Sequence, residues 1–261
     1  MQDLNSLQSS DSSDEGAQAW AIPFADMMTL LLTLFILLLV ILKESEKFVD
    51  RQINLLLQET YEQLDDKIKN ENVSIERVTK GIQITLRGNL FQSMKANVNK
   101  SYIPIIQEIS KIIEDCRLFN IEETEQYSAL MNFLEERNEE LNVEIRCEGH
   151  TDDAILPPQS DFSNNWELSS ARSLKVVNIM NDASSISEKY FSYNGYGEFR
   201  PLINVSGIDD FQKKKQARAY NRRVEIYLDA FARPKTRSSE AEFVKMLDNK
   251  FKKEEKLQLN N

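Results

Sequence analysis

The pattern of apolar and polar positions begins with a polar stretch that is followed by one long apolar run. Residues 1–19 are polar and are predicted to be a disordered tail. Residues 21–42 contain no Lys, Arg or Glu, and at about 1.5 Å per residue they span about 33 Å. This length crosses a bilayer core, so the pattern predicts one uncleaved transmembrane helix over residues 20–42. A cleaved signal peptide fits poorly, because the run is too long and no Lys or Arg precedes it.

Residues 43–72 are predicted to form a helical linker. Their apolar residues recur at spacings of three and four, which places them in one stripe along the helix. Such a stripe could pair with its copy in a dimer. It consists of Ile53, Leu57, Tyr61, Leu64 and Ile68.

Residues 73–231 alternate between strand-like and helix-like patterns. This alternation predicts a mixed α/β (α+β) domain with one sheet and helices packed on a face. The predicted strands cover residues 73–78, 81–86, 142–148, 190–196 and 224–231. The predicted helices cover residues 101–116, 122–139, 165–180 and 208–221. Residues 232–261 are charged and contain a short amphipathic helix to which the sequence assigns no role.

Composition and charge argue against several classes of protein. The net charge of −10 argues against nucleic-acid binding, which needs a basic surface. One His and two Cys are too few for a His-rich or Cys-rich zinc site or for an iron–sulfur cluster. The chain has no phosphate-binding glycine motif, and strand alternation would place Cys147 and His150 on opposite faces, which suits no nucleophile–base pair. We therefore expect no enzymatic activity, no metal and no cofactor.

The two cysteines both point toward the predicted core, Cys116 from a helix and Cys147 from a strand. They could be two buried thiols. They could also form a disulfide if the domain lies in an oxidising compartment.

Asp26 interrupts the apolar run, and two interpretations of it remain open. If Pro23 were the first helical residue, Asp26 would lie in the first turn, where an acid interacts favourably with the helix dipole. Alternatively, Asp26 binds a proton at membrane depth, because burial favours the protonated form of a carboxyl group. Thr29 and Thr33 share its helix face, and such a polar stripe suits a channel wall or a partner helix. One helix cannot enclose a pathway, so the second interpretation requires partner helices.

Two distant parts of the chain match one family. The segment Pro23-Phe-Ala-Asp-Met-Met-Thr29, followed by the apolar run, resembles the transmembrane signature of MotB-type motor subunits. A second set of motifs resembles the OmpA-like peptidoglycan-binding domain and covers about residues 80–231. In chain order this set is Gly149-His-Thr-Asp152, Asn165-Trp-Glu-Leu-Ser169 with Arg172, Gly195-Tyr-Gly-Glu198 and Asn221-Arg-Arg-Val224.

The resemblance implies a binding site for the diaminopimelate end of the peptidoglycan stem peptide. Asp152 would pair with the amine of this end. Arg172 would hold a carboxylate with its planar, two-pronged guanidinium. Thr151 and Asn165 would add neutral hydrogen bonds.

The same resemblance assigns two further residues, Arg222 and Arg223, and His150 is interpreted from its position in the turn. Arg222 or Arg223 would flank the site, and one of the two could only brace the sheet. His150 would brace the turn that carries Asp152.

The resemblance also implies an assembly and an orientation. Two copies of this chain would be surrounded by five copies of a MotA-like multi-helix partner, and Asp26 would carry protons, with sodium the less favoured ion. A wall-binding domain must lie outside the inner membrane, which places the N-terminus in the cytoplasm and residues 43–261 in the periplasm. The positive-inside rule alone would favour the reverse, because Lys43, Lys47 and Arg51 follow the apolar run.

Three features depart from flagellar members of this family. The linker is only about thirty residues long, residues 1–19 contain no base, and residues 117–140 form an acidic insertion in the domain. These features favour a non-flagellar motor, such as one built from ZorB of Zorya antiphage systems and a ZorA-like partner, over a flagellar stator. A passive OmpA-like wall tether and a wall-modifying enzyme are the alternatives.

Overall fold

The computed structural model describes residues 11–92, 94–120 and 127–235, with side chains from residue 20 onward except at residues 45 and 46. Residues 1–10 of the predicted tail, residues 121–126 of the insertion and the C-terminal segment beyond residue 235 lie outside the described residues. The chain divides into two compact units, residues 1–49 and residues 50–261.

Helix α1 (Asp11–Lys67) supplies the first unit and continues into the second, so the two helices predicted for the membrane and the linker are one helix. Its residues 20–42 are all exposed. By length and composition, α1 is the one helix among the described residues that could cross a membrane. Pro23 lies inside α1 rather than at its start, so the interpretation of Asp26 as a first-turn acid is wrong.

The second unit is built on a five-stranded sheet in the order β1-β2-β5-β3-β4. β1 (Val73–Val78) and β2 (Gly81–Leu86) form the predicted hairpin with the predicted bounds. β5 (Arg223–Pro234) lies between β2 and β3 (Glu139–His150) and is antiparallel to both. β4 (Phe191–Gly195) pairs in parallel with β3 at the edge of the sheet.

Four α-helices follow α1 in the described ranges. They are α2 (Ile103–Glu114), α3 (Ser128–Glu136), α4 (Asn165–Ala183) and α5 (Phe211–Asn221). Helix α4 packs on β3 and β4 and also contacts α2. The apolar sides of the central strands form the core, for example through the cross-strand pair Cys147 and Ile226, both fully buried. The predicted mixed α/β sheet-and-helix domain is confirmed.

The end of α1, residues 50–67, belongs to the second unit. Here Arg117 forms an ion pair with Glu59 at 3.0 Å, and the hydroxyl of Tyr127 donates a hydrogen bond to the same carboxylate at 3.3 Å. Most of the predicted stripe is therefore buried within its own chain, which leaves little of it for the pairing with a second copy that the sequence pattern allowed. The buried side chains of this segment include Ile53, Leu56, Leu57, Thr60 and Leu64.

The insertion contains helix α3, which is shorter than the predicted helix over residues 122–139. The buried side of α3 consists of Leu130 and Leu134. The backbone of Asn138 then adopts a φ of 55°, which ends the helical geometry directly before β3 begins at Glu139.

Of the two alternatives left open for the cysteines, the structure shows two buried thiols, since Cys116 and Cys147 are both free. Cys116 follows α2 and interacts with the side chain of Thr60, whereas Cys147 lies in the middle of the central strand β3. Burial raises the pKa of the Cys147 thiol to about 12, which keeps it protonated and unreactive at neutral pH. This agrees with the expectation that Cys147 and His150 are not a catalytic pair.

Candidate functional site

The family-like motifs in the second unit meet at one end of the sheet. β3 ends at His150, which pairs in the sheet with Arg223 at the start of β5. This register places the segment after β3 next to the segment before β5. The side chain of Asn164 caps the start of α4 by accepting a hydrogen bond from the backbone of Glu167.

A cavity of about 300 Å³ opens at this end of the sheet. It brings together five of the six residues predicted to bind peptidoglycan, from segments that are far apart in the chain. These five are Thr151, Asp152, Asn165, Arg172 and Arg222. The loop after β2 supplies part of the opposite lining.

Asp152 and Arg222 form the charged pair of the cavity. Their Oδ2 and Nη1 atoms lie 2.6 Å apart, and only 13% of the Asp152 side chain is exposed. The neighbouring pair Asp153 and Arg218 is bidentate, with distances of 2.6 and 2.9 Å, and it lowers the pKa of Asp153. Asn165 fixes the loop after Asp152, because its amide donates a hydrogen bond to the carbonyl of Ala154 at 3.1 Å.

Arg172 is a buried cation that lines the same cavity and is only 4% exposed. Its Nε donates a hydrogen bond to the carbonyl of Lys95 at 3.1 Å, and its guanidinium carbon lies 4.9 Å from the centre of the Phe91 ring. The pKa of Arg172 is lowered to about 10, mainly by burial. The charge of the nearby Asp152 opposes this shift, and the charge of Arg222 adds to it. Arg172 therefore remains charged at neutral pH, in contact with two groups that carry no negative charge.

Thr151 is held by its backbone rather than by its side chain. Its N–H donates a hydrogen bond to the carbonyl of Gly197 at 3.0 Å. Its Oγ1 atom is buried, and among the described residues it has no hydrogen-bond partner. Thr151 lines the cavity, so this hydroxyl has a hydrogen-bond donor next to the site that no described residue uses.

Arg223 does not line the cavity, although the resemblance allowed either Arg222 or Arg223 to flank the stem-peptide site. It is 5% exposed, and its Nε donates a 2.6 Å hydrogen bond to Glu225. Successive residues of an extended strand point to opposite faces, so Arg222 and Arg223 cannot both reach the cavity. Arg223 instead braces the sheet, which was the alternative for one of these two residues.

His150 belongs to the same buried cluster as Arg223. Its Nε2 lies 3.6 Å from an oxygen of Glu225, and its ring stacks on Tyr196 with centroids 5.4 Å apart. Burial lowers the pKa of His150. Burial alone would raise the pKa of Glu225, but the neighbouring His150 and the hydrogen bond from Arg223 lower it to about 2.

Among the described residues, Glu148, His150 and Glu225 place three potential metal-ligand atoms within 4.8 Å of one another. Each carboxylate already has an arginine partner, since Arg146 pairs with Glu148 and Arg223 pairs with Glu225. A cation at this cluster would have to compete with these two arginines for the carboxylate oxygens.

Sequence reasoning missed the loop between β2 and α2, which forms the other wall of the cavity. This loop carries no motif, and its course is set by an isolated bridge between Phe91 and Val98. The only signal for this wall in the sequence was one aromatic residue, Phe91, followed by polar residues. The missed lining residues there are Gly88, Asn89, Phe91, Gln92 and Met94.

In the first unit, Asp26, Thr29 and Thr33 lie on α1 at positions three and seven residues apart, which share one face. The hydroxyls of Thr29 and Thr33 each donate a 2.8 Å hydrogen bond to the carbonyl three residues earlier, and for Thr29 that carbonyl belongs to Asp26. All three side chains are exposed on the helix.

Comparisons with known proteins match both units. Residues 7–54 match the family model described as membrane MotB of the proton-channel complex MotA/MotB, and residues 118–215 match the OmpA family model. Motility protein B of Bacillus subtilis (strain 168) is 26% identical over 166 residues, which cover 63% of this chain and 51% of that protein. The chain thus matches about half the length of this relative. Motility protein B of Helicobacter pylori is 22% identical over 274 residues, which cover 90% of this chain and 92% of that protein.

A solved structure shows the same fold. The crystal structure of a MotB-like protein from Desulfovibrio vulgaris aligns with a TM-score of 0.51 at 18% identity, covering 71% of this chain and 99% of that one. The matched families are structural or channel-associated proteins, in agreement with the prediction that the chain is not an enzyme. This chain is a MotB-like protein with a C-terminal OmpA-like domain.

Proposed function

We propose that this chain is the wall-anchored, ion-conducting subunit of a motor complex in the inner membrane. The observation that carries the proposal is the cavity lined by Asp152, Arg172 and Arg222 in the OmpA-like domain. The similarity of residues 7–54 to membrane MotB of a proton-channel complex supports the membrane part of the proposal.

The cavity has the chemistry to hold the diaminopimelate end of a stem peptide, which carries an amine and carboxylates. A carboxylate of the ligand would give the buried Arg172 the opposite charge that its contacts with Lys95 and Phe91 do not supply. Such pairing is favourable because the nearby Asp152 is already paired with Arg222, and a buried charge is costly unless it has its own hydrogen-bonded counter-charge. The ligand amine would share the Asp152 carboxylate with Arg222, and the Thr151 hydroxyl would add a neutral hydrogen bond.

The membrane helix would carry the ion. The exposed apolar surface of residues 20–42 needs lipid or other helices around it, and Asp26 is a costly residue at this depth unless it faces a partner or a water-filled path. Uptake of a proton would neutralise Asp26 and remove the desolvation cost of its charge. Release of the proton would restore the charge, and this cycle would change how the helix packs against its partners.

The wall-binding site sets the orientation that we propose. The OmpA-like domain would lie in the periplasm, the N-terminus in the cytoplasm, and two copies of the chain would sit among five copies of a MotA-like partner. Because the domain is held by the wall, this subunit would stay still while the partner ring turns. Protons are favoured over sodium because the surroundings of Asp26 are mostly aliphatic.

We infer that the motor is a Zorya-type defence motor rather than a flagellar stator. The base-free N-terminus, the short linker and the acidic insertion support this choice. Deletion of the gene from its host should increase plaque formation by phage and leave swimming unchanged. Loss of swimming with unchanged plaque formation would assign the chain to a flagellar stator.

The test of wall binding uses the full-length chain in detergent and purified peptidoglycan sacculi. Arg172→Ala should lower the fraction retained on sacculi about tenfold or more, because the ligand carboxylate loses a charged, buried hydrogen-bond partner. Arg233→Ala is the matched control, since Arg233 is half exposed, pairs with Glu140 and lies outside the cavity lining. Equal retention of Arg172→Ala and Arg233→Ala would contradict the proposed site.

A further inference from the structure

Two aromatic side chains are exposed together on segments that also contribute to the cavity. Trp166 is 49% exposed and Phe199 is 61% exposed, and their ring centroids lie 5.2 Å apart at an interplanar angle of 33°. Trp166 belongs to the first turn of α4, and Phe199 follows β4. Exposed apolar side chains that gather in one place usually mark an interaction surface.

The segments that carry these two rings also build the cavity. Asn165, the residue before Trp166, lines the cavity. Gly197, two residues before Phe199, accepts the hydrogen bond from the N–H of Thr151, which lines the cavity as well. The backbone segments that carry the aromatic pair are therefore connected to the proposed stem-peptide site at two separate points.

We propose that Trp166 and Phe199 form a stacking surface for a sugar ring of the peptidoglycan glycan strand. This inference rests on the proposed function, since the stem peptide held in the cavity is covalently attached to that strand. A hexosamine ring presents an apolar C–H face and polar edges, which suits a flat aromatic surface with a polar rim. Ser170 lies one turn after Trp166 on the same helix, and its hydroxyl donates a 2.9 Å hydrogen bond to the Trp166 carbonyl, so its oxygen can still accept one.

The size of the surface favours a sugar over another protein. Two aromatic side chains offer roughly 300–500 Å² even if both became fully buried. A specific protein–protein interface buries roughly 1,200–2,000 Å² in total. One or two sugar rings match the small surface, whereas a second protein copy would need contacts far beyond it.

The direct test measures the fluorescence of Trp166. The chain contains two Trp, so Trp20→Phe leaves Trp166 as the only one. The full-length variant in detergent is titrated with chitotetraose, a peptide-free chain of N-acetylglucosamine. We expect a saturable change of Trp166 emission, and we expect Phe199→Ala in the same background to weaken the apparent affinity about five- to tenfold. Emission that does not change with chitotetraose would overturn the proposal.

The second test uses sacculi and separates this inference from the proposed function. Trp166→Ala and Phe199→Ala should each lower retention about fivefold or more, while Phe211→Ala, another exposed Phe at 74%, should leave retention unchanged. If Arg172→Ala loses retention while both aromatic variants keep it, the stacking surface is rejected and the stem-peptide site stands. If Arg172→Ala keeps full retention, the proposed function fails.

A third measurement addresses a protein partner. The mass of the full-length chain in detergent is measured for the unmodified protein and for Phe199→Ala. We expect the same mass for both. A smaller assembly for Phe199→Ala would show that the pair is a contact between copies and would overturn the proposal.

Discussion

The guanidinium of Arg222 and the carboxylate of Asp152 lie 2.6 Å apart at the mouth of the cavity, although the two residues are 70 positions apart in the chain. Arg222 directly follows α5, and Asp152 follows β3. The pair thus connects the first and the last of the OmpA-like motifs in chain order. It holds the Asp152 carboxylate where a ligand amine would meet it.

This pair predicts a measurable coupling. Asp152→Asn and Arg222→Gln should each lower the thermal stability of the domain, and the double variant should lose less than the sum of the two. We expect a coupling free energy of about 1 kcal/mol, because Arg222 is 40% exposed and solvent weakens the attraction. Thermal unfolding of the four full-length proteins gives this value. Additive losses would show that the two charges act independently.

The buried cluster around His150 predicts a dependence of stability on pH. Burial lowers the pKa of His150, so the folded state favours the neutral ring. This preference stabilises the fold at a pH above 6.5, the ordinary pKa of a histidine. The stabilisation is lost as the pH falls through the lower pKa that His150 has in the folded state. Glu225, with a pKa of about 2, keeps its contribution over this range and loses it only below its ordinary value of 4.5.

Because the chain has one His, a change in melting temperature between pH 7 and pH 5 reports mainly on His150. The melting temperature should fall as the pH falls through this range. The same scan with His150→Asn should be flatter. A melting temperature that rises toward pH 5 would mean that the folded state prefers the charged ring.

The close approach of β3 to α4 requires a residue without a side chain at Gly149. A Cβ atom at this position would lie 2.1 Å from the backbone oxygen of Ser169, and neither segment can move away easily. Gly149→Ala should therefore destabilise the domain by about 2–4 kcal/mol. Gly207→Ala is the control, because its φ of 82° strains an Ala but nothing lies within 4 Å, so about 1 kcal/mol is expected. Equal melting temperatures of the two variants would contradict this packing.

A substitution at Asp26 should affect the proposed ion conduction without affecting the proposed wall binding. Asp26→Asn keeps the size of the side chain but cannot ionise, so it should abolish partner-dependent ion flux and motor function in cells. It should leave retention on sacculi unchanged, because the cavity lies in the other unit. Ion flux in membrane vesicles and retention on sacculi are the two measurements. Normal flux with Asp26→Asn would show that Asp26 does not carry the ion and would contradict the proposed mechanism.

Much of the fold was predictable because the local patterns agree with the tertiary structure. The hairpin of β1 and β2 has its predicted bounds, since period-two alternation and a tight turn fix both strands. The end of α1 was harder, because a stripe such as Ile53, Leu57 and Leu64 has the same spacing whether its own domain or a second copy covers it. The length of β3 was also underestimated, since its first residues are polar and only half buried.

The candidate site was predictable where the residues carry a motif and unpredictable where they do not. Asp152 and Arg172 were found through the resemblance, and both line the cavity. The roles of Arg222 and Arg223 could not be separated from the sequence, because both are arginines and only the strand geometry decides which one reaches the cavity. The loop with Phe91 was missed, since contacts across a cavity depend on the tertiary fold rather than on a local pattern.

Titration calorimetry of the full-length chain in detergent with a stem peptide that ends in diaminopimelate tests the central claim most directly. The buried charge of Arg172 predicts saturable binding with one peptide per chain, at least about tenfold weaker for Arg172→Ala and unchanged for Arg233→Ala. Equal affinities for the unmodified protein and Arg172→Ala, or no binding of the peptide at all, would contradict the claim that this cavity anchors the chain to the cell wall.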